Sequence, residues 1–304
     1  MQKWFVLILF CIISNCFQSS NPIPASANPK AYEGKLKILT WNVQMVPRIG
    51  SIFSSSLRKM QEERTDWIIE HMNNTDYDIV LLQECFDNKF IDAAQERLAH
   101  KYPHTILPVR PHWFKLSNGL MILSKYRLEK IENIVFRKLS QSDMFTAKGA
   151  IMVKVRLDSQ NLYIVNTHLQ ADYDTKKYQD IRKEQLASIQ SELIEKYVLR
   201  ENEKVLVVGD LNIEEDLESA EYKSLAKEFR WKDWVYEFFK KPSHSFDKDN
   251  FWNKEYKQSC RLDYFLANFT SRIFRINIEK PKKLIGNKEI DLADHYGISA
   301  EFNL

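Results

Sequence analysis

The sequence predicts an α/β protein in which two mixed β-sheets pack together and helices cover their outer faces. Segments with strand character outnumber those with helix character, and several follow one another without an intervening helix. That order argues for mixed sheets and against a regular parallel βαβ array. The chain has 304 residues, of which 44% are apolar. This length and composition can supply the large core that two packed sheets require.

The individual elements follow from apolar patterning. Short apolar runs that end in polar residues predict strands, and apolar residues at helical spacing predict helices. In the run 205–208, Gly209 ends the strand, and Asp210 and Asn212 can then project the same way. Strands are expected at 37–42, 77–83, 105–109, 119–123, 131–136, 150–157, 162–165, 204–208, 262–267, 273–278 and 298–302, and helices at 55–73, 89–100, 178–197 and 217–229.

The first segment has the features of an export signal. Lys3 supplies a positive charge, residues 4–13 form a short apolar run, and Ala25-Ser26-Ala27 offers a cleavage site. The run is too short to span a bilayer, and no second run of that kind follows, so we expect a soluble, secreted or periplasmic mature protein. Lipid attachment at Cys16 is the alternative. The expected organisation is a signal peptide at 1–27, a linker at 28–35 and a single folded domain at 36–304.

Charge and cysteine content limit the possible partners. The net charge is +3, from 44 basic and 41 acidic residues, and no basic block suggests a nucleic-acid-binding arm. Outside the leader only Cys85 and Cys260 remain. They could pair in an oxidising compartment, or they could be two buried small apolar residues.

Polar residues at the ends of predicted strands are the candidates for chemistry. Each has an ordinary alternative, such as a capped turn, a surface carboxylate or a core histidine. Carboxylates and carboxamides, rather than Cys/His clusters, suit a hard cation such as Mg²⁺. Hydrolysis of a phosphodiester needs such a cation, a base and polar groups around the developing charge. The candidates are Asn42, Glu84, His168, Asp210, Asn212, Asp263, Asp294 and His295.

These candidates lie within short motifs that follow one another along the chain. The motifs are Trp41-Asn42-Val43, Gln83-Glu84-Cys85-Phe86-Asp87, Ser117-Asn118-Gly119-Leu120, Asn166-Thr167-His168-Leu169-Gln170, Gly209-Asp210-Leu211-Asn212, Leu262-Asp263-Tyr264 and Asp294-His295. Taken in this order, they resemble the metal-dependent endonuclease/exonuclease/phosphatase superfamily and, within it, the neutral sphingomyelinases of bacterial type. The resemblance implies a DNase I-like fold, a four-layered α/β/β/α sandwich of two mixed β-sheets flanked by helices, and makes residues 36–304 one catalytic domain.

The resemblance also implies roles around a metal and an attacking water. Glu84 would be the principal Mg²⁺ ligand with Asn42 close by, and Mn²⁺ or Co²⁺ are expected substitutes. Asp294 would be a site carboxylate that supports a second metal position. His295 would be the general base, oriented and charged by Asp263.

Further residues would act on the phosphate. Asp210 would help to hold the water or the metal shell, and Asn212 and His168 would bind the phosphate oxygens. The segment Asp143-Met-Phe-Thr-Ala-Lys148-Gly149 resembles the Asp/Lys-Gly segment of neutral sphingomyelinases. In that case Lys148 would contact the substrate phosphate and Asp143 would control its position. The alternative is a surface salt bridge before a strand.

The leading hypothesis is therefore an exported Mg²⁺-dependent phosphodiesterase that hydrolyses sphingomyelin to ceramide and phosphocholine. It would act as a peripheral monomer at a membrane surface, on sphingomyelin or a related phospholipid, and not on nucleic acid. Three alternatives remain open: a secreted nuclease of the same fold, an inositol-phosphate or phosphoinositide phosphatase, and an inactive binding protein.

One region departs from the resemblance. Haemolytic bacterial sphingomyelinases carry an aromatic-rich hairpin that enters the membrane, between the Leu-Asp-Tyr and Asp-His motifs. Here residues 270–292 contain Phe274 as the only aromatic residue, together with several lysines. This argues against strong lytic action. Two aromatic pairs could instead face lipid, or could pack in the core: Trp113 with Phe114, and Phe251 with Trp252.

Overall fold

The computed structural model describes residues 31–47, 55–111, 113–158, 160–173, 177–198, 203–227 and 229–304. The expected signal peptide at 1–27 and the alternative anchor at Cys16 lie outside these ranges, as does the first part of the expected linker. Within them, no helix combines the length and apolar character needed to cross a bilayer.

The first sheet contains the N-terminal strand and its neighbours. Six of the described strands are ordered β11-β14-β1-β2-β4-β3. β1 and β2 run parallel, and the other neighbours are antiparallel. The sheet is therefore mixed, as predicted. Its strands are β1 (Leu36–Met45), β2 (Ile79–Cys85), β3 (His104–Ile106), β4 (Met121–Ser124), β11 (Ile273–Glu279) and β14 (Gly297–Phe302).

The second sheet repeats this arrangement. Six described strands are ordered β5-β6-β7-β8-β10-β9, with β7 and β8 parallel and the rest antiparallel. Each sheet thus has one parallel pair near its centre. The strands are β5 (Leu128–Val135), β6 (Gly149–Leu157), β7 (Gln160–His168), β8 (Lys204–Asp210), β9 (Lys232–Asp233) and β10 (Asp263–Ala267).

Helices cover the outer faces of both sheets. One of them, α3, continues through a π-helical turn, Ile189–Ile194, into α4. The helices are α1 (Ser55–Asn74), α2 (Asn88–Arg97), α3 (Gln179–Ser188), α4 (Glu195–Tyr197), α5 (Ala220–Lys227) and α6 (Trp234–Phe239), and a 3-10 helix spans Gln141–Phe145.

Three apolar clusters hold the sandwich together: one lies between the two sheets, and the other two lie between each sheet and its outer helices. Alternate residues of a strand point to opposite faces, so in β2 Leu81 packs between the sheets while Val80 packs against the helical layer. α1 and α2 cover the first sheet, and Leu186 of α3 packs on the second. The predicted α/β/β/α sandwich is confirmed.

Several local elements were not predicted. The short helix α6 follows Asp233, which caps it by accepting hydrogen bonds from the backbone of Val235 and Tyr236. Residues 282–291, within the lysine-bearing segment, form a two-stranded hairpin of β12 (Lys282–Ile285) and β13 (Lys288–Asp291). Lysines on a hairpin break the apolar alternation on which strand prediction depends.

Candidate active site

The candidate residues meet because the two sheets end at one edge. Asn42 lies near the end of β1, and Glu84 near the end of the parallel β2. In the second sheet His168 and Asp210 end the parallel strands β7 and β8 and are register partners. Asp263 begins the antiparallel β10 directly opposite Asp210. Parallel strands deliver their carboxyl ends to the same side of a sheet, so residues far apart in sequence meet in one buried cluster, which we call the cleft.

His295 forms one side of the cleft. Its Nδ1 donates to Asp263 Oδ2 at 2.8 Å, and its Nε2 lies 3.8 Å from Asp210 Oδ2. Burial alone would lower the pKa of His295, but the carboxylates of Asp263 and Asp210 outweigh it and raise the pKa well above the ordinary 6.5. Trp41 Nε1 donates to the carbonyl oxygen of His295 at 2.9 Å, which fixes the backbone that carries the ring.

Lys148 and His168 form the opposite side. Lys148 Nζ lies 2.9 Å from Asp143 Oδ2, 3.0 Å from His168 Nε2 and 2.9 Å from the carbonyl oxygen of Leu169. An ammonium group has three hydrogens and accepts none, so these three contacts use all of them and make His168 Nε2 an acceptor. Burial and the nearby ammonium lower the pKa of His168 well below 6.5. Both observations favour a neutral ring with its proton on Nδ1, an atom that is buried and has no hydrogen-bond partner among the described residues.

Asp210 stands between the two sides. One of its oxygens, Oδ2, is 3.4 Å from His168 Nε2 and accepts from Asn42 Nδ2 at 3.0 Å. Asn42 Nδ2 also donates to Glu84 Oε1 at 3.1 Å. This amide therefore joins a carboxylate of each sheet, while Asn42 Oδ1 accepts from the backbone N–H of Gln44.

The acidic residues of this centre fit a divalent cation. Burial raises the pKa of Glu84, and it raises the pKa of Asp210 and of Asp294 to about 6. Oδ1 of Asp263 and Oδ1 of Asp294 are buried and have no hydrogen-bond partner among the described residues. Buried carboxylates with free oxygens are suited to a hard cation.

The closest set of metal-binding atoms differs from the ligands implied by the resemblance. Asp210, Asp263 and His295 each offer an atom within 4.8 Å of the others, whereas the resemblance implied Glu84, Asn42 and Asp294. In the described geometry the oxygen of Asn42 is engaged by Gln44 rather than directed at the carboxylates. The set of ligands stays a prediction.

Three site residues have left-handed backbone conformations. Gln44, Glu84 and Asn212 have φ of 49°, 57° and 52°, a region that costs side-chain-bearing residues free energy and is common at functional sites. Gly119, at φ 68°, lies against the Cα of Glu84, where a Cβ would approach to 3.3 Å and would clash with the Phe86 ring. The backbone around Glu84 is therefore held in a strained position by its neighbours.

Asn212 completes the set of candidates at the partly exposed end of β8. Its backbone N–H donates to Asp210 Oδ1 at 2.9 Å, and its Nδ2 donates to the carbonyl oxygen of Leu169 at 3.2 Å. That carbonyl also accepts from Lys148. The structure thus brings all the sequence-predicted site residues into one cleft; their individual roles stay predictions.

Sequence reasoning missed three residues that position this cleft. Gln44 Nε2 donates to Asp294 Oδ2 at 2.8 Å. Arg64, a buried residue of α1, donates to the carbonyl oxygens of Val43 and Leu292 at 2.7 Å each. Tyr173 donates its hydroxyl proton to Asp143 Oδ1 at 2.9 Å. No motif identified these residues, because each acts on a group distant in sequence.

The two cysteines outside the leader are not paired. Cys85 is buried and Cys260 is half-buried, and neither forms a disulfide.

Of the two aromatic pairs that could face lipid, Trp113 and Phe114 are exposed. The other pair is half-buried, and Trp252 stacks against Arg64.

Known proteins resemble this chain over most of its length. Phospholipase C of Staphylococcus aureus is 26% identical, over 91% of this chain and 90% of that protein. A sphingomyelinase C of Bacillus cereus is 29% identical, over 63% of this chain and 62% of that protein. The crystal structure of a variant of beta toxin from Staphylococcus aureus with bound magnesium ions covers 89% of this chain and all of that one, with a TM-score of 0.71 and 22% identity. The family model matches residues 39–272, and the chain belongs to the endonuclease/exonuclease/phosphatase family.

Proposed function

We propose that this chain is an exported, Mg²⁺-dependent phosphodiesterase that hydrolyses sphingomyelin to ceramide and phosphocholine. The observation that carries the proposal is the buried cleft in which a carboxylate-paired histidine, His295, and an ammonium-paired histidine, His168, face Asp210 from two sides. The family match and the named relatives indicate a hydrolase of the phosphodiesterase type. Sphingomyelin as the substrate is supported by the sphingomyelinase relative and by the Asp143–Lys148 pair.

His295 is the base in this reaction. Its Nδ1 is committed to Asp263, so Nε2 is the atom that takes a proton from the attacking water. The water oxygen forms a bond to phosphorus as the bond from phosphorus to the ceramide oxygen breaks. Asp263 holds the ring and stabilises the imidazolium that forms, as a carboxylate does for the histidine of a catalytic triad.

The Lys148 side binds the phosphate. Lys148 Nζ exchanges one of its three protein acceptors for a phosphate oxygen, and Asn212 contributes a neutral donor at the partly exposed edge. His168 is poorly suited to protonate the departing ceramide oxygen, because its pKa is lowered and its Nε2 accepts from Lys148. The ceramide alkoxide therefore takes its proton from a solvent water, and the proton held on His295 Nε2 neutralises the hydroxide that this leaves, so that His295 is a free base again. We therefore assign His168 to phosphate binding and to the orientation of Lys148.

Glu84 and Asp294, with Asn42 close by, are the residues that would hold the cation, and Asp210 would help to hold the water or the metal shell. Mg²⁺ suits this oxygen-rich set. When bound there, a divalent cation offsets the carboxylates that raise the pKa of His295 and neutralises charge on the phosphate. A solved relative contains bound magnesium ions, which supports the choice of ion.

Export and membrane action complete the proposal. Secretion or a periplasmic location is supported by Lys3, the apolar run 4–13 and the Ala25-Ser26-Ala27 site. A peripheral monomer that acts on a bilayer follows from the choice of substrate.

The deciding experiment compares substrates. Purified mature protein with Mg²⁺ is expected to release phosphocholine from sphingomyelin vesicles and to leave plasmid DNA and inositol phosphates intact. Cleavage of DNA without release of phosphocholine would favour the nuclease. The H295A variant is expected to lose about a thousandfold or more in turnover. H104A, which replaces a histidine on the short edge strand β3, serves as the matched control.

A further inference from the structure

Two loops beside the cleft expose large apolar side chains. Trp113 is 75% and Phe114 is 57% exposed on the first loop, and Met144 is 54% and Phe145 is 53% exposed on the second. We call these four residues the apolar rim. Soluble proteins rarely expose several large apolar groups side by side without a partner or a membrane to cover them.

Backbone hydrogen bonds join the two loops side by side. The backbone N–H of Leu116 donates to the carbonyl oxygen of Phe145 at 2.9 Å, and the N–H of Ala147 donates to that of Ser117 at 3.3 Å. The rings of Trp113 and Phe114 contact each other edge to face, with their centroids 5.9 Å apart.

Both loops are closed at their bases. The N–H of Asn118 donates to the carbonyl oxygen of Val109, and the N–H of Val109 donates back to Asn118 Oδ1, each at 2.9 Å. The second loop is the 3-10 helix Gln141–Phe145, which ends where Thr146 donates to the carbonyl oxygen of Asp143. The fold therefore presents the exposed side chains on braced backbone.

The rim adjoins the phosphate-binding side of the cleft. Met144 directly follows Asp143, whose carboxylate accepts from Lys148 Nζ at 2.9 Å. Lys148 Nζ in turn lies 3.0 Å from His168 Nε2. Met144 and Phe145 of the rim are therefore separated by at most one residue from the carboxylate that holds Lys148.

The charges near the rim are suited to a phospholipid surface. Arg110 and Lys115 flank the two aromatic residues, and the described residues of that loop include no acidic side chain. On the second loop, Asp143 is buried and paired with Lys148. Aromatic and apolar groups with cationic neighbours are the chemistry that inserts at the boundary between headgroups and acyl chains.

We propose that the apolar rim is a bilayer-insertion surface, which seats the cleft on a membrane of phospholipids so that a phosphodiester headgroup can reach Lys148. The inference rests on the proposed function for its choice of a lipid partner. The four residues of the apolar rim lie outside the lysine-bearing hairpin β12–β13.

The test measures binding apart from turnover, on vesicles of phosphatidylcholine and cholesterol that contain no sphingomyelin. Wild-type protein is expected to co-sediment with them, and W113A/F114A and M144A/F145A are each expected to lower the partition coefficient by roughly tenfold or more, because each pair removes two apolar anchors. F238A is the matched control, since Phe238 is an exposed ring in another edge-to-face pair, on α6. An unchanged partition coefficient in both double variants, or an equal loss in F238A, would overturn the proposal.

A conservative variant guards against misfolding. Brominated phosphatidylcholine is expected to quench part of the tryptophan fluorescence of the wild-type protein, and W113F is expected to lose that quenching while still binding. Equal quenching in W113F, or self-association of the wild-type protein through the rim without vesicle binding, would contradict insertion. If the protein bound vesicles through the rim but did not hydrolyse sphingomyelin, the proposed function would be refuted and the insertion surface would not. If it hydrolysed sphingomyelin and the rim variants bound vesicles as well as the wild type, the insertion surface would be refuted and the proposed function would not.

Discussion

The two histidines of the cleft lie on either side of Asp210, yet their other neighbours carry opposite charge. His295 donates to the carboxylate of Asp263, which raises the pKa of His295. His168 accepts from the ammonium group of Lys148, which together with burial lowers the pKa of His168. Both rings are buried, so the sign of the partner's charge decides their chemistry. His295 is suited to accept a proton and to stabilise the imidazolium that forms, and His168 is suited to remain neutral.

This difference divides the reaction between the two sides. The carboxylate side can take a proton from water and stabilise the imidazolium, and the ammonium side can bind an anionic phosphate. Changes to either side, or to the acidic centre between them, should therefore affect activity in different ways.

Removing the base should have the largest effect. H295A is expected to lower kcat by about a thousandfold or more, because both general-base catalysis and its orienting contact are lost. Phosphocholine release from sphingomyelin vesicles measures this loss. Turnover in H295A within about tenfold of wild type would assign the base elsewhere.

Neutralising the partner of His295 should be the next most damaging change. D263N is expected to lower kcat by about a hundredfold, and to move the acid limb of the kcat/KM profile to lower pH. The limb moves in this direction because the Asp263 carboxylate raises the pKa of His295. Loss of that charge lowers the pKa, so His295 is unprotonated, and able to act as the base, at lower pH. A limb that stayed in place or moved upward would refute the pairing.

Removing the ammonium should weaken the phosphate side. K148M is expected to raise KM and to lower kcat/KM by about tenfold to a hundredfold, since it removes a charged donor to the phosphate. The double variant D143N/K148M is the control for the buried carboxylate that K148M leaves unpaired. If both variants retained wild-type kcat/KM, Lys148 would be structural only.

The acidic centre between the two histidines should make metal binding depend on pH. Burial raises the pKa of Asp210 and of Asp294 to about 6, so these carboxyls bind protons below that pH and a cation must displace them. The affinity for Mg²⁺, measured by calorimetry on protein stripped with chelator, should therefore fall as pH drops below about 6. An affinity that is constant across this range would place the cation elsewhere.

The smallest effect is expected from removing the hydrogen bond that holds Asp143, the carboxylate partner of Lys148. Y173F removes the hydroxyl that donates to Asp143 Oδ1 at 2.9 Å, and a neutral hydrogen bond of this kind is worth about 1 kcal/mol. We expect less than about a tenfold rise in KM with little change in kcat, because Tyr173 acts through Asp143. A larger loss in kcat than in KM would place the hydroxyl in the chemical step.

Many of the site residues could be predicted from the sequence, because they lie at the ends of strands. The polar residues at or near the ends of β1, β2, β7 and β8 were identified as a set, since apolar runs that end in polar residues are visible in the sequence. Asp263 and His295 were paired through resemblance alone. The geometry shows why they meet: Asp263 faces Asp210 across the β8–β10 pair, and Trp41 of β1 holds the backbone of His295.

The rest depends on side-chain geometry that no pattern encodes. Asn42 was expected close to Glu84 at the metal site, and only the structure shows that its amide nitrogen donates to both Glu84 and Asp210. Tyr173 lies 30 residues from Asp143 in a segment that carries no recognisable motif. The hairpin β12–β13 was missed because its lysines conceal the strand pattern, and the exposure of Trp113 could not be separated from core packing until its loop was seen.

The most direct measurement is the protonation state of both rings in metal-free protein at neutral pH, read from nitrogen-15 NMR with H295A and H168A to assign the signals. We expect His295 to carry protons on both ring nitrogens and His168 to carry one proton, on Nδ1. A neutral His295 beside a doubly protonated His168 would reverse the division of labour between the two sides and contradict the account.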